Sequence, residues 1–211
     1  MEGRRTDDEH ELEWIELTAD YRCNNKCLGC YSISDHGPSM DRKEIVAALR
    51  LGRERGARNL WLGGGEPTLR PDLFAIVSKA RRMGYERVRL QSNGMLLSYP
   101  EFARRCAEAG VTQVCFGIRG SGPATHDRLT ATPGCHALML KGLEEARSAG
   151  LSVEADLLIY RENMKELVEM VRVHAPAGVE RFHIWLFSAV DDAEEKLHGQ
   201  VPRITEVMPE I

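Results

Sequence analysis

This 211-residue chain predicts an α/β fold built on a six-stranded parallel sheet. Three observations carry the prediction. Six short β-rich runs each lead into a loop, and most of those loops lead into a helical pattern closed by a glycine. Proline or a capping residue opens several of the helices, as helix ends require. Two loops rich in unusual residues, one of cysteines and one of glycines, each follow a strand directly.

Residues 13–18 alternate and form the first strand, and the loop Cys23-Asn-Asn-Lys-Cys27-Leu-Gly-Cys30 follows. Asp41 and Glu44 make a capping box for a helix carrying Ile45, Val46 and Leu49 that ends near Gly56. Residues 59–62 form the second strand, which runs into Gly63-Gly64-Gly65-Glu66-Pro67-Thr68. A helix over 71–83 stops at Gly84. The third strand, 87–91, leads through Ser92-Asn93-Gly94 to a helix over 99–109. The fourth strand, 112–118, leads through a long loop, 119–134, to a helix ending at Gly150. The fifth strand, 151–159, is followed by a helix over 163–174, and the sixth strand is 180–187. Consecutive βαβ units of this kind give a parallel sheet, either open and doubly wound or curled into a barrel.

Strand parity places polar groups inside. Val114, Phe116 and Ile118 share the helix-facing side of the fourth strand, opposite Gln113, Cys115, Gly117 and Arg119. Val153, Ala155, Leu157 and Ile159 oppose Glu154, Asp156, Leu158 and Tyr160. Phe182, Ile184 and Leu186 oppose Arg181, His183, Trp185 and Phe187. A packed interior would be apolar, so Arg119, Glu154, Asp156 and His183 there imply a wet or ligand-filled cavity. A register slip of one residue would move them to surface edges instead. Asp156, His183 and Trp185 are the substrate-side candidates.

Composition narrows the class. Hydrophobic residues make up 43% of the chain and the net charge is −4, so no global basic field argues for nucleic acid. Arg50, Arg53, Arg55 and Arg58 spread over several faces of one helix and its exit, a solvated surface. No apolar run has membrane-spanning length, and the polar start has no secretory signal pattern. Three of six cysteines cluster at ligand spacing and three are scattered, which fits a reducing cytoplasm. The expected organisation is a flexible segment 1–12, one core domain 13–190, and a helix or tail 191–211 where the chain is expected to be either short or truncated.

Three thiolates suit an iron–sulfur cluster with one open iron, or zinc with His36 as a fourth ligand. Zinc leaves Gly64-Gly65-Glu66 unexplained. That turn lacks the Gly-Lys-Ser/Thr of a phosphate loop. Cys135, at a helix start, is a candidate reactive thiol. Cys106 and Cys115 read as core residues, and His126-Asp127 as a pair that fixes a loop.

With Cys23, Cys27 and Cys30 after the first strand and Gly64-Gly65-Glu66-Pro67 after the second, the chain resembles the radical S-adenosylmethionine superfamily from about Trp14 to Phe187. Its look is nearest to the branch with Ser92-Asn93-Gly94 and a His126-Asp127 loop, which contains many peptide- and small-molecule-modifying enzymes. The resemblance implies a partial (β/α)6 barrel. It implies a 4Fe–4S cluster on Cys23, Cys27 and Cys30, and S-adenosylmethionine held by Gly64, Gly65, Glu66, Pro67, Ser92, Asn93, Gly117 and Arg119. It also implies reductive cleavage of that cofactor to a 5′-deoxyadenosyl radical, which takes hydrogen from substrate. An electron donor such as flavodoxin or ferredoxin is expected, with an oligomer mate or capping partner over the open side. Besides the end of strand five, where Asp156 and Asn163 stand near the family's usual asparagine, two places depart from the family. Gly29 stands where an aromatic usually precedes the third cysteine, with Tyr31 as the stand-in for adenine contact. The strand-four end reads Gly117-Ile-Arg119-Gly120 in place of Ser-x-Asp-Gly. A cluster-binding module without turnover is the alternative implied by that second departure.

Overall fold

The computed structural model describes residues 12–30, 39–186, 197 and 199–211. Strands β1 (Trp14–Thr18), β2 (Asn59–Gly63), β3 (Arg87–Ser92), β4 (Gln113–Ile118), β5 (Ser152–Ile159) and β6 (Arg181–Leu186) pair in chain order, all parallel. β1 and β6 are its two edges, and the sheet curls into a half-barrel that these edges leave open. Helices α1 (Arg42–Glu54), α2 (Leu73–Arg82), α3 (Pro100–Ala109), α4 (Pro123–Leu129), α5 (Cys135–Ser148) and α6 (Leu167–His174) form the crossovers, and a short α7 (Ile204–Val207) lies near the end of the chain.

The core lies between the convex face of the sheet and the helices. Leu60, Leu90, Val114, Phe116, Val153 and Leu157 are buried against Leu49, Val77 and Leu143. Each such side chain stabilises the fold by about 1.5–3 kcal/mol through the area it removes from water. The capping box of α1 forms in full: Asp41 Oδ1 accepts from Lys43 N (2.6 Å) and Glu44 N (2.8 Å), and Glu44 Oε2 accepts from Asp41 N (2.7 Å). Gly110 closes α3 at φ 110°, where any other residue would be strained. Gly142 of α5 lies so close to the strand-three turn that a Cβ would stand 2.3 Å from the Gly94 carbonyl oxygen.

The predicted parity holds for β4 and β5. On β6 the outward Ile184 is 41% exposed, so this edge is not covered like the centre of the sheet. Three local expectations change. The loop 119–134 contains α4, opened by Pro123 at its first turn. Helix α2 starts at Leu73, because Arg70 clamps the Asp72 carboxylate (3.0 and 3.1 Å) just before it. The stretch after β5 begins as a 3-10 turn, Met164–Glu166, and becomes α-helical at Leu167. Tyr31, His36, Phe187 and the expected N-terminal segment up to residue 11 lie outside the described residues.

Candidate active site

Three loops at the C-terminal ends of β1, β2 and β3 interlock through their backbones. Gly65 N–H donates to Asp20 O (2.9 Å) and Glu66 N–H to Arg22 O (2.8 Å), joining the glycine turn to the approach of the cysteine loop. A Cβ on Gly64 would stand 2.4 Å from Asp20 O, and one on Gly65 would stand 2.3 Å from Arg22 O. These glycines therefore allow chain to lie on chain, beyond the cofactor access expected of them. Asp20 is buried and bonded by the Arg22 backbone and guanidinium. Burial pushes its carboxyl up, but the Arg22 bonds and charge, with help from Ser39, hold it at about 2.

Glu66 ties the second loop to the third. Its Oε1 accepts from Thr68 N (3.1 Å), Thr68 Oγ1 (2.5 Å) and Ser92 Oγ (2.9 Å), and its Oε2 from Asn93 N (2.7 Å). It is 1% exposed, and burial raises its pKa even against those donors. Asn93 Nδ2 continues the chain of contacts to Asn24 Oδ1 (2.7 Å) and lies 3.9 Å from Cys23 Sγ. Pro67 starts the 3-10 turn Pro67–Leu69 that directs Thr68 back onto Glu66.

The cysteine loop is also held from the opposite side. Lys26 N–H donates to Thr130 O (3.1 Å) and Leu28 N–H to Leu129 O (2.9 Å) at the end of α4, and Tyr160 OH donates to Leu28 O (2.9 Å). Burial pushes the Cys23 thiol up to about 11. Gly29 has φ +65°, and a Cβ there would overlap Leu197, which packs with Leu129 and Tyr160. The space where the family has a side chain before the third cysteine is filled here by Leu197.

Cys23, Cys27 and Cys30 line one wall of a cavity of about 450 Å³. Gly64, Gly65, Glu66, Ser92, Asn93, Gly117 and Arg119 line it as well, and so do Asp156 and Trp185 farther along. The Arg119 guanidinium stands inside the cavity and not at a surface edge. Burial works to lower its pKa, while Cys27, Tyr160 and Cys30 raise it, so it stays charged. Its Nε and the Asn25 Oδ1 are buried with no partner. Three soft sulfur donors with an unpaired guanidinium N–H beside them fit an iron–sulfur cluster carrying an anionic ligand.

Asp156 Oδ1 meets His183 Nδ1 at 2.9 Å, and Arg89 NH2 lies 3.6 Å from Asp156 and 3.7 Å from Glu154. His183 sits behind Asp156 and is not part of the cavity lining. Cys115 Sγ, Asp156 and His183 present ligand atoms within 4.8 Å of one another. Arg89 NH2, 3.2 Å from His183 Nδ1, already supplies the positive charge there, which argues against a metal ion at that trio.

Cys135 is the expectation the structure does not support. It is 1% exposed and absent from the cavity lining, and its thiol meets Thr130 Oγ1 at 2.9 Å. Burial pushes it up to about 11, so it stays protonated at neutral pH, unlike a reactive thiolate. His126 and Asp127 do fix the loop. His126 Nδ1 accepts from Arg119 N (3.3 Å), and Asp127 accepts from Gly134 N (2.7 Å) and His136 N (2.8 Å) at the start of α5. Glu16, Trp61 and Gln91 line the cavity and were not anticipated. The alternation that exposed Asp156 on β5 puts each of them on the concave side of its own strand, but it does not bring the three together.

The sequence profile of the Radical SAM superfamily matches residues 20–200. A probable GTP 3′,8-cyclase of Sulfolobus acidocaldarius is 30% identical over 196 residues, covering 90% of this chain and 61% of the relative. A probable GTP 3′,8-cyclase of Saccharolobus solfataricus is 27% identical, covering 82% and 56%. The chain thus spans about three fifths of the length of the curated relatives it matches. Among solved structures, Streptococcus suis SuiB bound to S-adenosylmethionine superposes with a TM-score of 0.75 at 13% identity, over 91% of this chain and 43% of that one. Native anSMEcpe with bound AdoMet gives 0.67 at 14%, over 88% and 58%. At those identities the likeness speaks for the half-barrel fold alone.

Proposed function

The chain belongs to the radical SAM superfamily, enzymes that work with a 4Fe–4S cluster and S-adenosylmethionine, and from that premise we propose that its cavity is the active site of a hydrogen-abstracting enzyme. One observation carries the proposal. The cysteine wall, the Glu66 turn and Asp156 border a single cavity, so cofactor and substrate can share it. When bound, the cluster and S-adenosylmethionine supply reductive cleavage to a 5′-deoxyadenosyl radical that takes a hydrogen atom from substrate.

The chain's own residues do the rest. Cys23, Cys27 and Cys30 hold the cluster. Glu66 keeps one oxygen, Oε2, with a single donor, so it can accept an ammonium N–H without giving up the bonds that fix the turn. Arg119 offers its unpaired Nε–H to a carboxylate. Ser92 and Asn93 hold the Glu66 carboxylate in place, Pro67 starts its turn, and the bare Cα of Gly117 leaves room beside Arg119. Asp156, held by His183 through Oδ1, orients the substrate. A reduced flavodoxin or ferredoxin is the electron source proposed. The substrate is a small molecule or a peptide, since relatives are named for a nucleotide and SuiB has been seen with its precursor peptide.

Anaerobically reconstituted protein given S-adenosylmethionine and dithionite should form 5′-deoxyadenosine and methionine, read by mass spectrometry. Cys27→Ala should not. Failure of the wild type, with cluster intact and candidate substrates present, would leave the cluster-binding module without turnover as the better reading.

A further inference from the structure

The far wall of the cavity carries polar groups that the protein leaves unpaired. On the concave face, β1, β2 and β3 contribute Glu16, Trp61 and Gln91 to the lining. None of the three polar ends is used by the protein. Glu16 has no hydrogen-bond or ion-pair partner among the described residues, and Trp61 Nε1 and Gln91 Oε1 are buried without one. Glu16 itself is exposed, but buried groups such as those of Trp61 and Gln91 are normally satisfied, so two orphans lining one cavity mark a ligand's place. Gly63 makes the wall possible: a Cβ there would stand 3.1 Å from Glu16 Oε1 and 3.7 Å from Trp61 Nε1.

Charge selects among ligands. Three carboxylates line the cavity: Glu16, Glu66 and Asp156. Glu66 is held by four backbone and hydroxyl donors and faces the cofactor side, and Asp156 is matched by Arg89 and His183. Of the three, Glu16 alone has no hydrogen-bond or ion-pair partner among the described residues. Among the described residues, the lining's cation is Arg119, which stands beside Cys27 and Cys30 at the other end. Arg89 stacks on the Trp61 ring, 4.7 Å to its centroid, but it is engaged by Glu154 and Asp156, so a polyphosphate brought to the far wall would still face the Glu16 carboxylate.

Resting on the active-site reading above, we propose that the substrate carries a protonated nitrogen, an amine or guanidinium, which pairs with Glu16 and donates to Gln91 Oε1. An adjacent acceptor on the substrate takes the Trp61 indole N–H. This assigns the substrate class by chemistry and sets it apart from a nucleoside triphosphate.

The test is anaerobic calorimetry on the cluster-loaded protein saturated with S-adenosylmethionine. Three probes are titrated in 0.15 M salt: agmatine, a short lysine-containing peptide, and GTP. Wild type should bind agmatine or the peptide at least tenfold more tightly than GTP, and the tighter of the two tells a free amine from a peptide side chain. Glu16→Gln should weaken that binding about tenfold or more, the loss expected for a charge-assisted contact. Glu54→Gln, on α1 and far from the cavity, should leave it unchanged. GTP binding more tightly than either amine, no amine binding by wild type, or indifference to Glu16→Gln would each overturn the proposal. Those results are distinct from a failure of the active-site reading, which would show first as wild type that holds no cluster or binds no S-adenosylmethionine.

Discussion

At the scale of residues, Glu66 joins stability to function. Its carboxylate accepts four hydrogen bonds while fully buried. Glu66→Ala would strand those donors, each costing about 1–3 kcal/mol when left unsatisfied. Partial relaxation should leave a net loss of about 3 kcal/mol or more, read as a fall in the denaturation midpoint. Glu66→Gln keeps the acceptor on one side only and should cost less. Cys135 gives the contrasting prediction. Its thiol is a small buried group bonded to Thr130, outside the cavity lining. Cys135→Ala should lower stability by about 1 kcal/mol and leave the rate of 5′-deoxyadenosine formation within twofold of wild type. A loss of tenfold or more would restore it as a working thiol. The three clustered cysteines and Glu66 could be read from spacing alone. The place of Cys135 could not, because helix-start position does not reveal that Thr130 and Asp127 close over the sulfur.

Among the elements, α5 and the ring of histidines behind the site are the sensitive points. Gly142→Ala sets two effects against each other. Alanine gains about 1 kcal/mol in helix propensity, while a Cβ 2.3 Å from the Gly94 carbonyl forces a backbone shift. Overpacking of that kind costs about 1–3 kcal/mol, and a backbone obstacle lies at the upper end. Thermal melting of Gly142→Ala should therefore fall below wild type. A rise would mean the strand-three turn yields easily. His126, His136 and His174 are buried in edge-to-face contact, with centroids 5.3 and 5.8 Å apart along the row. Burial lowers the pKa of all three, that of His126 to about 3. The folded state keeps them neutral while the unfolded chain takes up protons below about pH 6.5. Their contribution is thus flat above neutrality, and stability is lost as the pH falls from about 6.5 toward 3. Urea midpoints should drop steeply between pH 7 and pH 5, and His126→Asn, which keeps an acceptor for the Arg119 N–H, should flatten the slope. An equal slope in both proteins would contradict this assignment. Helix α4 shows why element prediction failed in one loop. Pro123 announced its start, but the segment is short and polar, and what holds it is contact with Lys26 and Leu28 of the cysteine loop.

Over the whole molecule, a half-barrel with two open edges concentrates the polar residues of the concave face into one cavity. The six strands were legible because each is a local run with a local stop. The cofactor-side wall was legible because its residues are adjacent in sequence. The far wall was not, since Glu16, Trp61 and Gln91 come together only through the parallel register of β1, β2 and β3. Nor was the filling of the Gly29 gap by Leu197, a contact between residues 168 positions apart. The central claim is that Cys23, Cys27 and Cys30 present a cluster to a cavity shared with S-adenosylmethionine. The most direct measurement is electron paramagnetic resonance of the anaerobically reduced protein, beside iron and sulfide analysis, with and without S-adenosylmethionine. The account predicts about four iron and four sulfide per chain, a reduced-cluster signal that shifts when S-adenosylmethionine is added, and loss of both in Cys27→Ala. Stoichiometric zinc with no sulfide, or a cluster signal indifferent to S-adenosylmethionine, would contradict it.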